Sequence, residues 1–136
     1  MNDFTIDYLD HVAIRVKDLE ASAVWYEQVL GLKRKTVPEW GPYPIFMLAQ
    51  KTGIALFPAT IDDPTLDPSS KNIKIDHFAF HVSAESFIKA RKKYEALELD
   101  YIFTDHTYFH SIYTKDPDGH TVELTTIIVD SDVLYS

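Results

Sequence analysis

The chain has 136 residues, 46% of them hydrophobic, enough for one globular domain or two closely packed halves with a sizeable core and no room for a separate domain. A net charge of -8 argues against the clustered cationic surface that nucleic acid or an anionic membrane requires, and the lack of cysteine excludes disulfides, thiolate metal sites and a cysteine nucleophile. No apolar run approaches the roughly 20 residues of a membrane span, and Met1-Asn2-Asp3-Phe4 has no secretory character, so a soluble cytoplasmic protein is expected.

In chain order, Tyr8 to Val16 reads as a strand. Asp18 is placed to cap a helix carrying Leu19, Ala23, Tyr26 and Leu30 at helical spacing, with Gly31 ending it. Strands follow at 32–37, 45–50 and 54–57, separated by Pro38-Glu39-Trp40-Gly41-Pro42 and by Thr52-Gly53 as turn signals. Residues 59–74, rich in Pro and Ser, form a linker. The same order then repeats: a strand at 75–83, a helix carrying Phe87, Ala90, Tyr94 and Leu97, and strands at 100–104, 111–115 and 120–126, the last entered through the turn Asp116-Pro117-Asp118-Gly119. The only dense basic run, Lys89, Arg91, Lys92 and Lys93, reads as the solvated face of the second helix.

The repetition is visible in the residues. Asp10-His11-Val12-Ala13-Ile14-Arg15-Val16 lies over Asp76-His77-Phe78-Ala79-Phe80-His81-Val82 at a single offset, 77 minus 11, with Asp, His, Ala and Val identical. Two modules of one β-α-β-β-β unit are expected, 5–58 and 75–128, joined by the linker. Strand alternation puts Val12, Ile14 and Val16 on the face toward the helix and His11, Ala13 and Arg15 on the other; it likewise separates Phe78, Phe80 and Val82 from His77, Ala79 and His81. In the last strand Glu123 shares a face with Thr121 and Thr125, opposite Val122 and Leu124. Three strands thus turn two imidazoles and a carboxylate, His11, His77 and Glu123, away from the helical core. That donor set suits a divalent metal ion.

From Tyr8 to Thr126 these features resemble the vicinal oxygen chelate superfamily, which includes glyoxalase I, extradiol dioxygenases, fosfomycin-inactivating transferases and bleomycin-binding proteins. The resemblance implies an α+β fold in which two β-α-β-β-β modules form a curved mixed sheet around a metal cavity. It implies His11, His77 and Glu123 as metal ligands, and a homodimer of the kind in which many single-pair members complete the site, with His11 supplied either by the same chain or by a different subunit than the other two. Aligning Gly53 with Gly119 sets Phe57 opposite Glu123, so the fourth ligand of glyoxalase-like proteins has no counterpart, and a three-ligand site with open positions is expected.

Thr104-Asp105-His106, Ile112-Tyr113 and Glu123 resemble in spacing the extradiol signature, which implies catalytic roles for His106 and Tyr113. The acid-base His that such enzymes hold before the fifth strand is absent from the stretch with Asp62, Asp63 and Lys71, and His81 is the candidate replacement. The function expected is a divalent-metal enzyme, Fe(II) favoured over Mn(II), Ni(II) or Zn(II), performing extradiol-type chemistry on a small aromatic or enolisable substrate. The alternatives are a lyase, isomerase or thiol transferase, or a metal-free binding protein of the bleomycin-resistance type. Phe46, Phe57, Tyr108, Phe109 and Tyr113 are expected to give the cavity an aromatic lining. His110 and His120 are expected to face solvent, Arg15 to pair with Asp18 or Glu20, and Trp25 and Trp40 to serve packing.

Overall fold

The computed structural model describes residues 3–135 and divides into two compact units, Met1–Asp63 and Pro64–Ser136. The first contains β1 (His11–Val16), α1 (Leu19–Leu30), β2 (Lys33–Lys35), a 3-10 turn (Pro38–Trp40), β3 (Ile45–Ala49) and β4 (Thr52–Pro58). The second contains β5 (Phe78–His81), α2 (Ala84–Ala96), β6 (Ile102–Asp105), β7 (Phe109–Lys115), β8 (Thr121–Ile127) and a short helix α3 (Ser131–Tyr135). Each unit is a β-α-β-β-β module whose four-stranded sheet is mixed, in the orders β1-β4-β3-β2 and β5-β8-β7-β6. The α+β class expected from the sequence is the one observed.

The same local physics builds both modules. Asp18 caps α1 by accepting the Ala21 N–H at 2.9 Å, and Ser83 caps α2 by accepting the Ser86 N–H at 3.1 Å. Ser22, Ala23, Tyr26 and Val29 are the buried stripe of α1, and Phe87 and Tyr94, two turns apart, are that of α2. These stripes pack on one sheet face, carried by Ile14, Val16, Met47, Ile54 and Leu56 in the first module and by Ile112, Val122 and Leu124 in the second. Arg15 and His81 lie exposed on the opposite faces, so parity assigned both first strands correctly. Among the described residues no helix is long and apolar enough to cross a membrane.

The strands begin later than the sequence pattern indicates, because β1 and β5 are sheet edges and become regular only where a parallel partner runs beside them. His11 pairs with Gly53, and Phe78 with Val122, leaving His77 at the threshold of β5. A second difference concerns Thr52-Gly53, which form no turn. The β3–β4 turn is Gln50-Lys51, with Gln50 at φ 57°, and Gly53 lies within β4. A Cβ on Gly53 would stand 2.1 Å from the Met47 carbonyl oxygen, so this glycine answers a close backbone approach. Gly119 has a different reason: its φ of 86° completes the turn in which Asp116 Oδ1 accepts the N–H groups of Asp118 and His120.

Candidate metal centre

In the second module β8 runs between β5 and β7, and Glu123 is in register with Ala79 on one side and Tyr113 on the other. Those three residues share a face, and alternation adds His77, His81, Ser111 and Thr125 to it. Glu123 is only 4% exposed. Its Oε1 lies 2.9 Å from His77 Nε2, while its Oε2 accepts a 2.6 Å hydrogen bond from Ser111 Oγ, which is itself 3.2 Å from Thr125 Oγ1. A carboxylate this buried needs such partners for both oxygens.

The other nitrogen of His77, Nδ1, sits 2.8 Å from Asp76 Oδ2. The hydrogen bond from His77 is the main cause that holds the Asp76 carboxyl below its ordinary pKa. His77 thus has a carboxylate at each ring nitrogen, Asp76 at Nδ1 and Glu123 at Nε2; with the Nδ1 hydrogen given to Asp76, Nε2 would be the nitrogen open to a metal ion. That nitrogen and Glu123 Oε1 converge on one place, and one imidazole with one carboxylate is a donor set that fits Fe(II), Mn(II), Ni(II) or Zn(II). Within neither unit do the described residues gather three His, Asp or Glu side chains suited to one ion.

Beside this pair stands Tyr113, its ring edge-on to His77 with centroids 5.6 Å apart, and its hydroxyl 2.9 Å from His106 Nε2. Burial first, then the nearby charge of Glu123, pushes the Tyr113 phenol above its ordinary pKa, so it remains a hydrogen-bond donor at neutral pH. The β6–β7 hairpin presents His106: Asp105 Oδ1 accepts the Thr107 N–H at 2.9 Å, Thr107 turns the chain at φ 73°, and His106 N–H donates to the Phe109 carbonyl at 2.9 Å. His77, Glu123, Tyr113 and His106 are thereby brought together. His81 is exposed on the same face, in register with Thr125, and among the described residues no hydrogen bond joins it to that group.

In the first module His11 repeats the aspartate contact, with Nδ1 2.8 Å from Asp10 Oδ2. Its ring meets Phe46 edge-on at 5.2 Å, and Phe46 in turn meets Trp40 at 5.3 Å. Register corrects the alignment drawn from the two glycines. Ala55 pairs with Ala13 and Phe46, as Glu123 pairs with Ala79 and Tyr113, so the counterpart of Glu123 is Ala55 and not Phe57. The absence of a donor there stands, with a methyl group in place of a ring.

Glu20 is held by Arg34 through contacts of 2.7 and 3.1 Å, and Arg15 Nη1 donates to the Pro58 carbonyl at 3.0 Å with its guanidinium 5.2 Å from the Phe57 ring centre. His110 and His120 are half-buried rather than fully solvent-facing; His110 packs on Phe103 at 5.2 Å and approaches Asp105 at 3.6 Å. Trp40 is 44% exposed at the edge of the His11–Phe46 pair. In the basic run Arg91 is the exception to solvation, 4.6 Å over the Phe103 ring. Sequence reasoning noted Asp10 and Asp76 in the repeat without giving them a role, and gave none to Ser111. The duplication of Asp-His was a signal for the first two, whereas Ser111 is tied to Glu123 only through the β7–β8 register.

A family model for the Glyoxalase/Bleomycin resistance protein/Dioxygenase superfamily matches residues 8–124, and the chain belongs to that superfamily. Among its relatives are the metallothiol transferase FosB of Lysinibacillus sphaericus, 28% identical over 90% of this chain and 84% of that one, and the lactoylglutathione lyase of Pseudomonas putida, 28% identical over 85% and 82%. A glyoxalase/dioxygenase of known structure from Nostoc punctiforme matches the fold with a TM-score of 0.77, 21% identity, and coverage of 95% of this chain and 99% of that one.

Proposed function

We propose that the protein is a divalent-metal enzyme acting on a small, flat substrate that presents an ionisable oxygen, with extradiol-type dioxygenase chemistry as the first reading. His77 and Glu123 would hold the metal, with His11 as third ligand, supplied by the same chain or by a second copy in a homodimer. When bound, a divalent ion, Fe(II) in this reading, supplies Lewis acidity toward a substrate oxygen and a redox partner for dioxygen.

The single observation that carries the reading is the 2.9 Å hydrogen bond between His106 and Tyr113, on the same sheet face as the His77–Glu123 pair. Tyr113, kept protonated, donates a hydrogen bond to the oxyanion that develops on the substrate. With that hydrogen directed to the substrate, the phenol oxygen accepts from His106 Nε2–H, and a proton that Tyr113 passes to the substrate is replaced from His106, the role of a general acid. Ser111 holds Glu123 in one rotamer, and the Tyr113 ring beside His77 would offer flat surface to a substrate.

Elemental analysis of anaerobically purified protein, followed by aerobic incubation of the Fe(II)-loaded chain with a panel of catechols, tests the reading. A yellow ring-opened product is the expected result. A chain that produces none, and whose metal spectrum no catechol perturbs, sinks it. A lyase or thiol transferase is the second reading, favoured by the two relatives at 28% identity; turnover of glutathione adducts by Mn(II)-, Ni(II)- or Zn(II)-loaded protein would install it instead.

A further inference from the structure

We propose that Asp10 and Asp76 are positioning residues, each accepting the Nδ1 hydrogen of the histidine that follows it, so that Nε2 is left to serve as a donor. At His77, whose Nε2 also faces Glu123 at 2.9 Å, this requires a metal ion between the two and rests on the reading above. At His11 the Nδ1–H tautomer does not rest on it.

The observation occurs twice. Nδ1 to Oδ2 is 2.8 Å for His11 with Asp10 and 2.8 Å for His77 with Asp76. The surroundings of the two rings differ, Phe46 at the first and Tyr113 and Glu123 at the second, so the contact belongs to the Asp-His dipeptide at the strand entry and not to its neighbours.

Backbone geometry explains why the dipeptide works only at that place. Successive side chains of a regular strand point to opposite faces, which would part an aspartate from the ring after it. Asp10 stands one residue before β1 and Asp76 two before β5, where the chain has not yet entered the ladder. The Asp10 carbonyl, accepting the Gly53 N–H at 3.2 Å, anchors that entry in the first module.

The chemical consequence is directional. A neutral imidazole can carry its proton on either nitrogen, and the protonated one cannot ligate a metal. A carboxylate at Nδ1 settles the choice at His11, and at His77 once Glu123 is engaged by a metal ion; at both it orients the ring and raises the basicity of Nε2. Neither aspartate contributes burial, since their side chains are 70% and 75% exposed, so removing them leaves the core untouched.

The test uses the full chain, metal-free and zinc-titrated. Long-range proton–nitrogen NMR on metal-free wild type above the titration range of histidine is expected to place the His11 proton on Nδ1, and Asp10→Ala to move it to Nε2. Competition of Zn(II) with a chromophoric chelator is expected to show Asp76→Ala binding about 10- to 100-fold more weakly. Asp76→Asn, whose amide oxygen can accept the same hydrogen, should recover part of that loss, which a general structural defect would not allow. A wild-type His11 protonated on Nε2, or a tautomer unchanged by Asp10→Ala, overturns the proposal whatever zinc does. Equal zinc affinities of wild type and Asp76→Ala overturn it for His77. A wild type with no affinity for Zn(II) counts against the metal reading, and the His11 tautomer then decides the proposal alone.

Discussion

The two modules share a plan and differ in what their sheet faces carry. Each opens with an aspartate bonded to a histidine, and each sets an aromatic ring edge-on to that histidine, Phe46 in the first and Tyr113 in the second. At the central strand they part: the first has Ala55 where the second has Glu123, and Phe46 has no hydroxyl where Tyr113 has one bonded to His106. The first module therefore sets a single imidazole against aromatic rings, and the second sets an imidazole–carboxylate pair beside a tyrosine hydroxyl bonded to a histidine. Duplication preserved the scaffold and the Asp–His contact, while the hydrogen-bonded cluster of His77, Glu123, Ser111, Tyr113 and His106 is confined to one copy.

The largest expected effect breaks the first module's scaffold. Gly53→Ala would push a methyl group into the Met47 carbonyl at 2.1 Å, and backbone has to yield, so a loss of about 3 kcal/mol is expected in chemical denaturation. The counterpart of Gly53 in the second module is Thr121, which carries a side chain at the same register, so glycine is a demand of the first hairpin alone.

Tyr113→Phe makes the second module resemble the first where they differ most. It keeps the ring against His77 and removes the hydroxyl bonded to His106, so kcat should fall about 100-fold with Zn(II) affinity unchanged. Steady-state kinetics beside chelator competition separate the two quantities. Because burial and Glu123 raise the Tyr113 pKa, any alkaline limb of the wild-type pH profile that Tyr113 causes should lie above the ordinary tyrosine range and vanish in the variant.

Helix termination differs too. Gly31 ends α1 at φ 67°, while α2 ends with Glu98 at φ 56°, where a side chain is strained. Glu98→Gly should stabilise the chain by about 1 kcal/mol, and Gly31→Ala should cost a similar amount; urea midpoints report both.

The smallest effect concerns the charge clamp of the first module, where Arg34 spans Glu20 and Glu27. The Glu20 carboxyl is held below its ordinary value near 4.5, chiefly by the hydrogen bond from Arg34. A depressed carboxyl contributes stability above its ordinary pKa and loses it as pH falls through the lower folded value. The difference in Tm between wild type and Arg34→Gln should therefore be fully present at neutral pH and close as pH drops below about 4.5. Solvent screening keeps it modest.

Much of this was legible from residues in order. The Asp-His repeat, the helix caps at Asp18 and the end of α1 at Gly31 are local signals, and the structure realises each of them. Gly53 misled because a glycine says only that a side chain is excluded, without saying whether a positive φ or a close neighbour excludes it. Reading it as a turn, like Gly119, displaced the apparent counterpart of Glu123 by two residues, from Ala55 to Phe57.

Side-chain parity needs nothing beyond the order of residues, since alternation has a period of two, and it placed His77, His81 and Glu123 on one face before any strand was paired. Which side chains touch is a matter of register between strands far apart in the chain. Only the fold could set Glu123 against His77 and Ser111, bring Tyr113 within reach of His106, and leave His81 outside that network. Those contacts join residues that share no local pattern, and their geometry follows from hydrogen-bonded strand pairing, which composition and periodicity do not encode.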